Sequence, residues 1–197
     1  EFALPILGLI LPGAQAALAQ GSRIGVIATA ATVKSRAYSK AIQEYSALDP
    51  RRFPQPVQCW EQACPAFVPL IEAGQLDSPE LQQAAKRYLQ PLLRQGIDTL
   101  VYGCTHYPLL DPLLRSLLPP SVKRVDPGVA LVRSLARELS LWGLRRPPTA
   151  PPDEPHRFYV SGDPERFAQL ATPWLGFRPQ VERVEWPALD VNNSRRP

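Results

Sequence analysis

Methionine is absent from all 197 residues, position 1 included. A chain opening Glu1-Phe2-Ala3-Leu4-Pro5 is expected to be cut from something longer. Cysteine is scarce, and its count of three is odd, which argues against a disulfide scaffold and for a reducing, cytoplasmic setting. A basic stripe is missing as well. Lysine and arginine number 22 against 18 acidic residues, a net +4, but the arginines lie in scattered pairs such as Arg51-Arg52 and Arg145-Arg146. Nothing there would track a phosphate backbone, so no nucleic-acid partner is expected. The uncharged stretch from Phe2 to Ala19 has no basic leader and is interrupted by Pro5, Gly8, Pro12 and Gly13. Those features argue against a signal peptide and a membrane span, and no membrane partner is expected. No internal repeat of about 20–50 residues is present.

Apolar residues make up 45% and charged residues 20%, the balance of a globular protein with a core of its own, while 24 prolines exceed the usual share. Short apolar runs alternate with amphipathic stretches. Strands are expected at Ile6–Leu11, Arg23–Ala28, Val57–Trp60, Thr99–Gly103, Val122–Val125 and Arg157–Val160. Helices are expected in the alanine-rich stretch after Pro12-Gly13, then at Val33–Tyr45, Phe67–Ala73, Pro79–Arg94, Pro108–Leu118, Val129–Trp142 and Pro164–Ala171. The run 147–155 carries Pro147, Pro148, Pro151, Pro152 and Pro155 and predicts a stiff extended connector, and 186–197 a polar tail. Strands alternating with helices predict βαβ units, hence an α/β fold whose parallel sheet is doubly wound, covered on both faces. In such sheets function gathers in the loops beyond the carboxyl ends of the strands.

Two such loops carry chemistry. Gly103-Cys104-Thr105-His106-Tyr107-Pro108 places a thiol at a strand end, close to the start of the next helix, where free N–H groups favour a thiolate. His106 is placed to position a carboxylate or to govern the thiol's proton. The alternative is that Cys104 is a buried small hydrophobe. Ala28-Thr29-Ala30-Ala31-Thr32, with Ser35, suits a carboxylate or phosphate, though on local grounds a plain helix cap by Thr29 or Thr32 explains it better. It is no P-loop, because the glycines and the Gly-Lys-Ser/Thr are missing. Cys59, Cys64, Cys104 and His106 do not have the spacing of a zinc knuckle, so no metal is expected and Cys64 is assigned to packing.

Three segments taken together resemble the glutamate racemase family: Gly25–Ser35, Ala63–Glu72 and Gly103–Leu110, in that order and at matching separations. Weaker similarity runs from Pro5-Ile6-Leu7-Gly8 to Phe158-Tyr159-Val160-Ser161-Gly162-Asp163. The resemblance implies two α/β domains of the aspartate/glutamate racemase type, one catalytic cysteine from each, glutamate between them, and neither cofactor nor metal. On this basis 12–125 is the second racemase domain, carrying Cys104, while 1–11 and 126–185 are a remnant of an incomplete first domain. Inverting a Cα needs a base on one face and an acid on the other. By match, Cys104 is the base acting on L-glutamate, His106 and Glu72 support it, and Thr105, His106, Thr29 and Thr32 bind substrate. The implied role is supply of D-glutamate for peptidoglycan in the cytoplasm, with a homodimer among the assemblies considered. The family's Asp-Ser-Gly and Ala-Cys-Asn-Thr segments have no counterpart here, so this chain is expected to be inactive alone. Alternatives are an aspartate or hydantoin racemase, or a non-catalytic glutamate-binding module.

Overall fold

The computed structural model describes residues 6–146 and 156–185; the expected connector 147–155 and tail 186–197 lie outside the described residues. Residues Glu1–Arg145 and Arg146–Pro197 form two compact units.

In the first unit, the chain runs α1 (Ile10–Gln20), β1 (Arg23–Ala28), α2 (Ala30–Ser35), α3 (Ala37–Ala47), β2 (Gln58–Ala63), α4 (Phe67–Glu72), α5 (Pro79–Arg94) and β3 (Thr99–Gly103). A 3₁₀ turn at Tyr107–Leu110, α6 (Asp111–Leu117), β4 (Lys123–Val125) and α7 (Pro127–Leu141) complete it. Every β1 residue after Arg23 is buried, as a strand covered on both faces requires. The four strands form one sheet in the order β2-β1-β3-β4, each pairing parallel.

Alternation along the strands builds a core on each face. Ile24, Val26, Ala28 and Val101 pack with Ala14, Ala17 and Leu18 of α1 and Tyr38 and Ile42 of α3. Ile27, Leu100 and Tyr102 face the other way, onto Phe67, Leu81, Leu89, Tyr107 and Leu114. Fully burying each large side chain contributes roughly 1.5–3 kcal/mol. At the amino ends of the strands, Asp98 Oδ2 accepts the N–H groups of Ser22 and Arg23 at 2.9 and 3.1 Å, and Oδ1 accepts the Thr99 hydroxyl at 2.8 Å. At the carboxyl ends, Ala28 pairs with both Ala63 and Gly103, so three loops leave from one edge of the sheet.

Several expectations need correction. Ile6–Leu11 is not a strand: the helix begins at Ile10 and takes in Pro12, whose missing N–H costs nothing in a first turn where such donors have no helical partner. Gly13 is then a packing position rather than a turn, since a Cβ there would lie 2.9 Å from that of Pro127. The expected helix Val33–Tyr45 is two helices, split by Arg36 in the left-handed region (φ 55°), where Ser35 Oγ takes the Ala37 N–H at 3.3 Å. β2 runs to Ala63, held by the full length of β1. Helix Pro108–Leu118 opens as a 3₁₀ turn, because Pro112 has no N–H to donate to the carbonyl of Pro108 and its ring crowds that turn. α7 packs on α1. The packing thus places 126–145 in the first unit, while the grouping of 126–185 with 1–11 as one ancestral domain is a proposal.

The second unit holds β5 (Phe158–Val160), α8 (Pro164–Leu175) and β6 (Val181–Arg183), with β5 and β6 paired in parallel. Asp163 caps α8 through the Glu165 N–H at 2.9 Å, Gly176 closes it at φ 73°, and Arg178 grips both Glu165 oxygens at 2.5 and 2.6 Å. α8 extends past the expected Ala171 to Leu175, and β6 was not expected from its sequence. Its three residues offer one apolar side chain, too few to show a strand period.

Candidate active site

The loop after β3 presents Cys104, and its shape is set from below by Tyr107. That side chain is fully buried, edge-on to Phe67 at 5.2 Å between ring centroids, and its hydroxyl donates to the Cys64 carbonyl at 3.2 Å. Phe67 also meets Tyr88 edge-on at 5.2 Å. The strand-to-helix segments after β2 and β3 are thereby locked together. Gly103 allows the close approach on the other side: a Cβ there would stand 2.9 Å from both Ala28 Cβ and the Ile27 carbonyl oxygen.

Cys104 Sγ lies 3.8 Å from His106 Nδ1, and His106 Nε2 lies 2.7 Å from Glu72 Oε1 at the end of α4. The His106 side chain is one-third exposed and Glu72 about half. A carboxylate behind an imidazole fixes its tautomer and leaves the opposite nitrogen facing the sulfur. A four-residue 3₁₀ turn, continued by α6, follows Cys104. The polar partner beside the sulfur is His106.

Beside Cys104 opens a cleft of about 590 Å³, lined by Thr32, Tyr38, Tyr102, Thr105, Pro108, Asp126 and Pro127 among others. Thr32 and Thr105 therefore face it with Cys104. Thr29 and His106 are not on its wall, and Glu72 stands behind His106. Thr29 acts in two ways. Its Oγ1 accepts the Thr32 N–H at 3.4 Å, the expected helix cap, and lies 3.0 Å from the hydroxyl of Thr32, which lines the cleft.

The other thiols are set apart. Cys64 is 1% exposed, and burial pushes its pKa well above the ordinary thiol value. Cys59 packs behind β1 and is pushed up to about 11 by burial, only partly offset by the Ser39 hydroxyl 3.6 Å away. Glu61 Oε1 accepts from the Ser39 N–H at 2.8 Å and hydroxyl at 2.5 Å, tying α3 to β2, while its Oε2 is buried without a partner. Among the described residues no group of three His, Cys, Asp or Glu side chains could hold a metal ion, and no helix is long and apolar enough to cross a membrane.

Tyr38, Asp126 and Tyr102 are cleft residues that the sequence reading missed. The signal for Asp126 was the cap pattern Asp126-Pro127, which places a carboxylate where β4 meets α7: Oδ1 accepts the Gly128 N–H at 2.8 Å. Tyr102 donates to Asp111 Oδ1 at 2.6 Å, which also accepts from Arg124 Nε at 2.9 Å. Burial pushes the Asp111 carboxyl upward, but these two donors together hold it below its ordinary value.

Residues 1–135 match the Asp/Glu/Hydantoin racemase family over a span containing Cys104 and the whole cleft. The chain belongs to that family. It is 53% identical over 196 residues to a glutamate racemase from Nostoc sp., an alignment covering 100% of this chain and 63% of the relative. Among solved structures it resembles a glutamate racemase isoform from Bacillus anthracis, with a TM-score of 0.83 and 31% identity over 94% of this chain and 66% of that one. It also resembles the Francisella tularensis glutamate racemase solved with D-glutamate, with a TM-score of 0.78 and 29% identity over 93% of this chain and 65% of that one. The racemase fold is thus shared, and this chain spans somewhat under two-thirds of the length of these relatives.

Proposed function

We propose that this chain carries the Cys104 half of a cofactor-independent glutamate racemase. The observation behind it is the alignment of Cys104, His106 and Glu72 in sequence from sulfur to carboxylate, beside a cleft that also presents Thr32 and Thr105. The thiolate of Cys104 takes the Cα proton of L-glutamate, and the bond's electron pair stays on Cα. A second thiol on the opposite face then delivers a proton to give D-glutamate, with roles exchanged in reverse. His106, steadied by Glu72, governs the protonation of Cys104. Thr32 and Thr105 bind the substrate from the cleft wall, while Thr29 and His106 act from behind it, through Thr32 and Cys104 respectively.

The second thiol is not Cys59 or Cys64, which lie away from the cleft wall. The 197-residue chain alone is therefore expected not to invert glutamate. The three free thiols fit a reducing cytoplasm, and the product fits peptidoglycan synthesis.

The test is to incubate the purified chain with L-glutamate in deuterated water. Optical rotation follows inversion, and proton NMR follows deuterium entering Cα. Exchange with retained configuration, lost in Cys104→Ser, is the expected result. Inversion abolished by Cys104→Ala would overturn the single-thiol account, and absence of both exchange and glutamate binding would overturn the proposal.

A further inference from the structure

Tyr38 is a cleft residue that the reaction outlined above leaves unused. It lies in α3, is 2% exposed, and lines the cleft with Thr32 and Cys104. Its position is dictated by close packing. A Cβ on Gly13 would stand 3.3 Å from Tyr38 Cε1 and 2.9 Å from Pro127 Cβ, so the missing side chain in α1 leaves the slot in which the two rings sit. On the α3 side, neighbouring Ser39 is fastened to Glu61 of β2 through both its N–H and its hydroxyl.

The hydroxyl is distinctive. Four tyrosines are buried, and three of them use their oxygen within the protein: Tyr102 donates to Asp111, Tyr107 donates to the Cys64 carbonyl, and Tyr88 accepts from the Ala66 N–H. Tyr38 makes no side-chain hydrogen bond among the described residues and its oxygen is not sealed from solvent, so the cleft that it lines is where a partner can reach it. Burial first, then the neighbouring acids Asp126, Cys104 and Glu61, push its pKa up to about 12. It is a neutral phenol throughout the physiological range, a donor without an acceptor, and such a group gains from any ligand that supplies one.

We propose that Tyr38 is a substrate-binding residue whose hydroxyl donates to a carboxylate of bound glutamate held beside the Thr32 hydroxyl. The inference rests on the glutamate site proposed above. Asp126 on the same wall has one oxygen committed to the Gly128 N–H and is complementary to the α-ammonium, so the wall suits a zwitterionic amino acid. Removing the phenol oxygen leaves the ring packing against α1 intact and deletes only the donor.

The experiment titrates the 197-residue chain and its Tyr38→Phe variant with L- and D-glutamate by calorimetry, alongside thermal unfolding. The expected result is an unchanged unfolding temperature and a Kd raised about tenfold, the order lost with one hydrogen bond to a charged group. Equal affinity in the two proteins overturns the inference while leaving the glutamate site standing. Absence of glutamate binding in the unmutated chain overturns the site itself, and the role of Tyr38 with it. Should the variant unfold, the ring resonances of Tyr38 in the unmutated chain decide: a shift on saturation with glutamate supports the contact, and no shift overturns it.

Discussion

His106 Nε2 and Glu72 Oε1 stand 2.7 Å apart although 34 residues separate them in the chain. The contact exists because Tyr107 and Phe67 interlock the turns after β3 and β2. If it orients the imidazole toward Cys104, Glu72→Gln lowers the rate of Cα exchange into L-glutamate about tenfold or more while glutamate affinity stays within about twofold. Removing the proton-transfer group itself, in Cys104→Ser, costs on the order of 10²–10⁴ or more. An exchange rate unaltered in Glu72→Gln would reduce the contact to a structural one.

The three thiols differ in their surroundings. Cys104 lines the cleft, Cys64 is sealed in the core, and Cys59, pushed up to about 11, is almost wholly protonated at neutral pH. The thiolate is the reacting form. Brief iodoacetamide treatment of the folded chain at pH 7.5 is expected to add one label, at Cys104, by intact mass and peptide mapping. Glutamate in the cleft should slow it. Faster labelling of Cys59 would contradict the assignment.

Asp111 links stability to pH. Its folded-state carboxyl titrates below the unfolded value because Tyr102 and Arg124 donate to it against the opposing effect of burial. The stabilisation is complete above the unfolded carboxylate value and is lost as pH falls through the depressed folded value. Asp111→Asn should therefore lower the unfolding free energy at pH 7 by about 1–2 kcal/mol, since the pair is partly exposed while the Tyr102 hydroxyl is buried. The difference between the two proteins should shrink in strongly acidic buffer. Urea melts at several pH values measure it, and a difference independent of pH would refute the assignment.

Gly103→Ala tests the close approach beneath the Cys104 loop. The added carbon meets the Ile27 carbonyl, which is backbone in the centre of the sheet, so relief requires β3 to move away from β1. A loss of about 1–3 kcal/mol is expected. Cα exchange should fall by more than the loss of folded protein explains, because the displaced residue precedes Cys104. An unchanged melting temperature would show that the strand yields freely.

Much of the fold is legible locally. β1 and β3 show themselves as short apolar runs, and Ser78-Pro79 announces α5, where Ser78 Oγ does accept the Leu81 N–H at 3.1 Å. The break at Arg36 gave no such sign, since its residue type rarely adopts a positive φ and the cause is a hydroxyl one position earlier. The apolar content of Ile6–Leu11 suited a strand or a buried helix start equally, and packing of α1 on α3 and α7 selected the helix.

The sequence by itself determined the alternating α/β order, the two hydroxyl- and thiol-bearing loops, and through Gly103–Leu110 the resemblance to the racemase family. Tertiary structure alone decided that Thr32 and Thr105 line one cleft with Cys104, that Thr29 contacts the Thr32 hydroxyl instead of lining it, and that Tyr38 and Asp126 share its wall. Periodicity and capping are properties of neighbouring residues and can be read along the chain. Which side chains converge depends on strand register and on where a missing Cβ, as at Gly13 and Gly103, lets two elements approach.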